Sequence, residues 1–151
     1  MVEIIEYEEK YFEEFKTINL EWLEKYHLTE ESDLEVLNDP QKKILDGGGC
    51  IYLAKAGDVI IGSAALIKTH DNIYELAKMA VVPAFHGKGI GKILLERCLE
   101  KAKEMKAEKL ILYSNSQLKA ALIMYEKYGF RHIPVIDSPF VTADVKMELS
   151  L

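Results

Sequence analysis

Residues 85–92, Phe-His-Gly-Lys-Gly-Ile-Gly-Lys, set three alternating glycines between a hydrophobic strand and a helix. That arrangement makes an anion site. The first N–H groups of a helix are unpaired and carry partial positive charge, and Gly87, Gly89 and Gly91 let a phosphate reach them with no Cβ in the way. Lys88 and Lys92 add charge at the same place. Two familiar phosphate loops do not fit. A P-loop has four residues between its first glycine and a Gly-Lys-Ser/Thr, whereas three separate Gly87 from Gly91, and Ile93 stands where the magnesium-binding hydroxyl belongs. A dinucleotide fingerprint needs a third glycine where Leu94 follows Gly89 and Gly91, and Glu108 precedes the next strand instead of closing it. A plain strand-to-helix turn would need one glycine and neither lysine.

A second constellation lies downstream. Asn115 follows a strand, and residues 120–130 read Ala-Ala-Leu-Ile-Met-Tyr-Glu-Lys-Tyr-Gly-Phe. With the loop His86-Gly87-Lys88-Gly89-Ile90-Gly91, these residues make the stretch from Glu75 to Phe130 resemble the GNAT superfamily of acyl-CoA-dependent N-acetyltransferases. In that family the pyrophosphate loop reads Arg/Gln-x-x-Gly-x-Gly/Ala, and the second hallmark is an Asn after a strand, then a helix ending in Leu-Tyr-Glu-Lys-x-Gly-Phe. One position departs. His86 stands for the usual Arg or Gln; it can donate a hydrogen bond but lacks a bidentate or permanently charged contact, so weaker or pH-dependent coenzyme affinity is expected.

An amine attacking a thioester needs a held acyl donor, hydrogen-bond donors at the carbonyl oxygen, and a proton for the departing thiolate. The resemblance implies acetyl-CoA as co-substrate, no metal, and direct attack by the amine. It assigns the pantetheine arm to the backbone of Met79, Ala80 and Val81, and the pyrophosphate to His86, Gly87, Lys88, Gly89, Gly91 and Lys92. Asn115 is either a coenzyme contact or a residue that ends its strand in a turn. Tyr125 occupies the position of the general acid, its alternative being a core aromatic. Glu75 is the candidate general base, its alternative a solvated strand-end charge; Asp71 and His70 are weaker candidates, and His27 and His132 are read as surface or interface residues.

The elements that would position these groups alternate along the chain. Apolar periodicity predicts a strand over Val2–Tyr7, a helix over Glu9–Tyr26 and a second helical stretch around Leu34 and Leu37. Asp39-Pro40 then reads as a helix start before Gly47-Gly48-Gly49. Ile51–Lys55 and Val59–Lys68 form a hairpin across Ala56-Gly57-Asp58, and Tyr74–Val82 adds over a turn at Asp71-Asn72, ending at Pro83. Ile90, Leu94, Cys98 and Ala102 mark a helix. Lys109–Tyr113 is a buried-type strand, Leu118–Tyr128 a helix, and Phe130–Val135 with Val141–Leu149 a closing pair. The expected fold is α/β, of the α+β type: a GNAT-like mixed, mostly antiparallel sheet of six to seven strands, flanked by helices on both faces, in a single domain over 1–151.

Composition bounds the partners. A chain of 151 residues, 49% hydrophobic, can build one core, and its net charge of −6 argues against generic nucleic-acid binding. Cys50 and Cys98 are too few and too far apart for a disulfide framework or a metal site, and both are read as reduced. The acidic N-terminus has no signal-peptide pattern and no apolar run approaches a membrane span, so a cytoplasmic location is expected. The acceptor is expected to be a small-molecule amine, with a homodimer left open; the other classes are a protein N-terminus or lysine, and a non-catalytic acyl-CoA sensor. In the family the first two helices roof the acceptor site; here they offer Trp22 and Tyr26, read as core with one of them as a pocket-lining candidate, and the run Glu30-Glu31-Ser32-Asp33, read as a solvated helix face or as partners for a cationic amine.

Overall fold

A computed structural model describes residues 1–136 and 138–151. Seven strands form one sheet: β1 (Val2–Glu6), β2 (Cys50–Ala56), β3 (Val59–His70), β4 (Ile73–Val81), β5 (Lys109–Ser114), β6 (Arg131–Ile133) and β7 (Val145–Ser150), in the order β1-β2-β3-β4-β5-β7-β6. Among the described residues only the β4–β5 pair is parallel. Four α-helices pack on it: α1 (Phe12–Lys25), α2 (Glu31–Asn38), α3 (Ile90–Glu104) and α4 (Lys119–Lys127).

Strand alternation sorts the core into two layers. Tyr52, Leu66, Leu76, Leu110 and Met147 meet Leu94, Leu95 and Cys98 of α3 and Tyr125 of α4 on one face. Ile51, Leu53 and Ala65 meet Phe15 and Ile18 of α1 and Leu37 of α2 on the other. Residues 39–45 form a short wide turn that Asp39 opens, its Oδ1 accepting from the Lys42 N–H at 3.2 Å. Cys50 and Cys98 are both unpaired and buried. Among the described residues no helix is long and apolar enough to cross a membrane.

Two features of β4 position the site. Its pairing with β5 covers only Ile73–Glu75 against Lys109–Ile111, so the two strands part beyond Glu75 and leave a cleft between them. The second feature is a bulge. Ala77 faces Ala65 and Ala80 faces Ser63, so Lys78 and Met79 together oppose Ala64 alone, and Lys78 takes a left-handed conformation with φ 52°. The extra residue inverts the alternation: Leu76 belongs to the α3/α4 layer, whereas Ala80 belongs to the α1/α2 layer. The Ser63 hydroxyl donates to the Lys78 carbonyl at 2.7 Å, and the buried Asn19 amide donates to Ser63 Oγ and the Phe15 carbonyl, each at 2.9 Å.

The closing pair is shorter than expected. β6 stops at Ile133 and β7 starts at Val145, because Pro134 cannot donate to a ladder and residues 139–142 lie against the start of α2. Glu30 at the start of α2 accepts from the Val141 and Thr142 N–H groups, each at 2.8 Å, and from the Thr142 hydroxyl. Burial alone would raise its pKa, but the hydrogen bonds from Thr142 and Val141 win and hold it low. A segment expected in the sheet therefore closes one side of the cleft.

Candidate active site

The cleft has a volume of about 490 Å³ and brings together nearly all the candidate residues. At one end, β4 gives way through Pro83 to the glycine loop and α3. Gly87 and Gly89 both have φ 76°, a conformation L side chains avoid, and a Cβ at either would meet nothing within 4 Å. The loop is therefore open above its backbone. Gly89 is the residue before the first turn of α3, and Gly91 and Lys92 lie in that turn, beside the cleft. Lys88 is exposed, its ammonium 5.4 Å from the Phe85 ring centre.

His86 does not point at the open loop. Its Nε2 lies 2.7 Å from the Val81 carbonyl, so that nitrogen carries the proton and donates, and the ring edges against Trp22 at 5.8 Å between centres. Trp22 in turn meets Tyr26 at 5.1 Å, and both line the cleft, rather than standing only in the core. Among the described residues no strand pairs with the β5-facing edge of residues 76–81, and His86 holds one of its carbonyls.

Tyr125 of α4 is buried against Phe130, 5.8 Å between ring centres, and also reaches the cleft. Its hydroxyl donates only to the Met79 sulfur, at 3.7 Å. Burial, reinforced by the nearby Cys98, pushes its pKa up to about 12, so it stays protonated at any working pH. Asn115 uses both polar atoms of its side chain on the protein: Nδ2 donates to the Thr142 carbonyl at 2.8 Å and Oδ1 accepts from the Gln117 N–H at 3.0 Å. The turn reading thus describes its side chain, although Asn115 also borders the cleft.

Glu75 is not a solvated strand end. It lines the cleft where β4 and β5 part, and its carboxylate has no hydrogen bond or ion pair among the described residues. Burial pushes its pKa up to about 7, against an opposing pull from Lys78 and a smaller push from Asp33. The sequence did not single out Lys78, and it offered Asp33 only as part of the acidic run. Asp33, one residue of the acidic run, is buried: Oδ1 accepts from Lys78 Nζ at 2.6 Å and Oδ2 from the Glu30 N–H at 3.0 Å. A lysine in an otherwise apolar stretch of strand was the available signal for Lys78. His70 and Asp71 are exposed in the β3–β4 turn and do not border the cleft.

Residues 6–130 match the sequence pattern of the Acetyltransferase (GNAT) family. The chain belongs to the GNAT family of N-acetyltransferases. It is 38% identical over 112 residues to the N-acetyltransferase YvbK of Bacillus subtilis strain 168, covering 72% of this chain and 71% of that protein. A GNAT acetyltransferase from Staphylococcus aureus Mu50 superposes with a TM-score of 0.91 at 25% identity over 99% of both chains. The PaiA N-acetyltransferase of Thermoplasma acidophilum, solved with coenzyme A, shares the fold with a TM-score of 0.79 at 20% identity, over 100% of this chain and 99% of that one.

Proposed function

We propose that this GNAT protein transfers an acetyl group from acetyl-CoA to a primary amine of a small molecule, by direct attack of the amine on the thioester. One observation carries this reading. A single cleft joins an unpartnered carboxylate, Glu75, to a buried phenol, Tyr125, and opens onto a glycine loop at a helix N-terminus. The loop can hold the acyl donor, the phenol can give a proton to the departing thiolate, and the carboxylate can take one from the acceptor.

The backbone of Gly87, Gly89 and Gly91, with Lys88 and Lys92, cradles the pyrophosphate; the open space above Gly87 and Gly89 supports this. The free edge at Met79, Ala80 and Val81 takes the pantetheine arm as an added strand. His86 then exchanges its bond to the Val81 carbonyl for one to the arm or its phosphates, and Asn115 holds the cleft wall. Glu75 takes a proton from the ammonium of the acceptor, directly or through one water, and the freed amine attacks the thioester carbonyl. Collapse of the tetrahedral adduct breaks the C–S bond as Tyr125 gives its proton to the sulfur, which leaves as the thiol of CoA, and the surplus proton on the new amide nitrogen passes back to the Tyr125 phenolate. Met79 sulfur, the present acceptor of that hydroxyl, lies where such a donor can serve a sulfur atom. The acceptor side is roofed by α1, α2 and residues 138–143, which favours a small molecule over a protein surface.

The test is a panel of amines, spanning alkylamines, polyamines, amino acids and aminoglycosides, incubated with protein and acetyl-CoA. Free CoA thiol should appear only with an acceptor, in step with a product heavier by one acetyl group. Thiol release that ignores the acceptor, or labelled proteins and no labelled small molecule from a cell extract given labelled acetyl-CoA, would contradict it.

A further inference from the structure

The pair Lys78–Asp33 is left over from the family motifs, and its construction is costly. Their side chains are only 6% and 5% exposed, and burying two charges repays its desolvation only when the geometry is good. Lys78 also sits at φ 52°, a strained conformation for a residue with a Cβ. Four groups hold it there: Ser63 binds its carbonyl, Asn19 binds Ser63, Asp33 binds its ammonium, and the Phe140 ring lies 5.5 Å from the same ammonium. Such over-determination at the rim of a cleft points to a task at that cleft.

The task follows from what surrounds Glu75. Lys78, three residues along the same strand, and Asp33 of α2 line the same cleft as Glu75, and both bear on its ionisation. The flanking strands place the uncharged Ile67 of β3 and Ile111 of β5 opposite it in register, and α1 brings the neutral Asn19 to the same cleft. We propose that Lys78 and Asp33 are positioning residues for the transfer: the bulge and α2 fix a paired ammonium in the cleft that holds Glu75, where Lys78 is the counter-charge to that carboxylate and Asp33 keeps the ammonium from repelling a cationic acceptor. Neither charge serves alone. Lys78 without Asp33 would leave Glu75 too weak a base and would oppose an incoming ammonium; without either, burial alone would keep Glu75 protonated.

The inference rests on Glu75 being the base, and its test is built to separate the two claims. Protein labelled with 13C at the glutamate carboxyl carbon is titrated by NMR, with the Glu75 signal assigned by its loss in Glu75→Gln. In wild type it should titrate near 7. Lys78→Met should raise that midpoint by about one to three units, and Asp33→Asn should lower it. The double variant removes both charges and should raise it by less than Lys78→Met does. Because a single variant strands one buried charge and can fail to fold, the double variant keeps the test decisive: a midpoint unmoved or lowered in it overturns the proposal. The same holds if the two single variants shift the midpoint in one direction. With the best amine of the panel, Asp33→Asn should also raise KM about tenfold or more through like-charge repulsion, whereas Lys78→Met should act through the pH limb of kcat/KM. If the midpoints move as stated but Glu75→Gln keeps the wild-type pH limb, the pair tunes a carboxylate that is not the base, and the reading of the reaction is what fails.

Discussion

In the proposed reaction Glu75 and Tyr125 have opposite protonation tasks, and their surroundings suit each to its own. A base must be empty of its proton to act, so kcat/KM should fall tenfold per pH unit below about 7 and level off above it. Glu75→Gln should remove that limb along with most of the rate. The same shift has a consequence for stability with a definite sign. A carboxyl raised on folding from its ordinary 4.5 to about 7 gives stability that is full below 4.5 and lost as the pH climbs through 7. Glu75→Gln should therefore melt higher than wild type at pH 8, with the difference shrinking toward pH 4.5, in thermal unfolding scans. Tyr125, at about 12, contributes no alkaline limb in any practical assay. Tyr125→Phe keeps the ring and removes the proton donor, so kcat should drop by about 10²–10⁴-fold while acetyl-CoA affinity stays within a few-fold. An unchanged kcat with a pre-steady-state burst would mean that product release hides the chemical step. Glu75 and Tyr125 could be picked out because strand and motif place them. Asp33 could not, since its burial depends on a lysine forty-five positions away in sequence.

At the scale of elements, the bulge in β4 and the N-terminus of α3 do the positioning. Ser63 is the keystone of the bulge: it gives one hydrogen bond to the Lys78 carbonyl and takes one from Asn19. Ser63→Ala would leave both groups short of a partner in a buried place, costing about 1–3 kcal/mol. Calorimetric melting should show a Tm lower by about 2–4 °C per kcal/mol lost, and kcat/KM should fall as the cleft side of β4 relaxes. Melting at the wild-type temperature would show that the bulge holds itself. Helix and strand periodicity revealed α1, α3, α4 and the β2–β3 hairpin to within a residue or two at most ends, because each buries a face against a neighbour. The bulge and the short β6 and β7 were not visible. A bulge depends on the register of a partner strand, and residues 139–142 leave the sheet only because Ser32 and Glu30 of a distant helix bind them.

For the whole molecule, topology creates the site. A mixed sheet must contain a place where a parallel pair forms, and here that pair is held together for three residue pairs before opening into the cleft. Two helical layers close it, α3 and α4 bringing the loop and Tyr125, α1 and α2 bringing the roof and Asp33. The alternating order of strands and helices was legible in the sequence, the resemblance to the GNAT family implied a sheet of six to seven strands with helices on both faces, and the seven-strand sheet agrees with it. What the cleft admits as acceptor was not legible, because its lining side chains are gathered from elements far apart in the chain, α1, α2, β4, β5 and α4 among them. The central claim is that this cleft is a coenzyme site whose loop holds pyrophosphate, and titration calorimetry tests it most directly. Acetyl-CoA should bind the wild-type protein at one site well below millimolar concentration, NAD should give no comparable heat, and Gly89→Val, which puts a branched side chain at φ 76° on the loop, should lose most of the affinity. No heat from acetyl-CoA at millimolar concentration with folded wild-type protein would contradict the account.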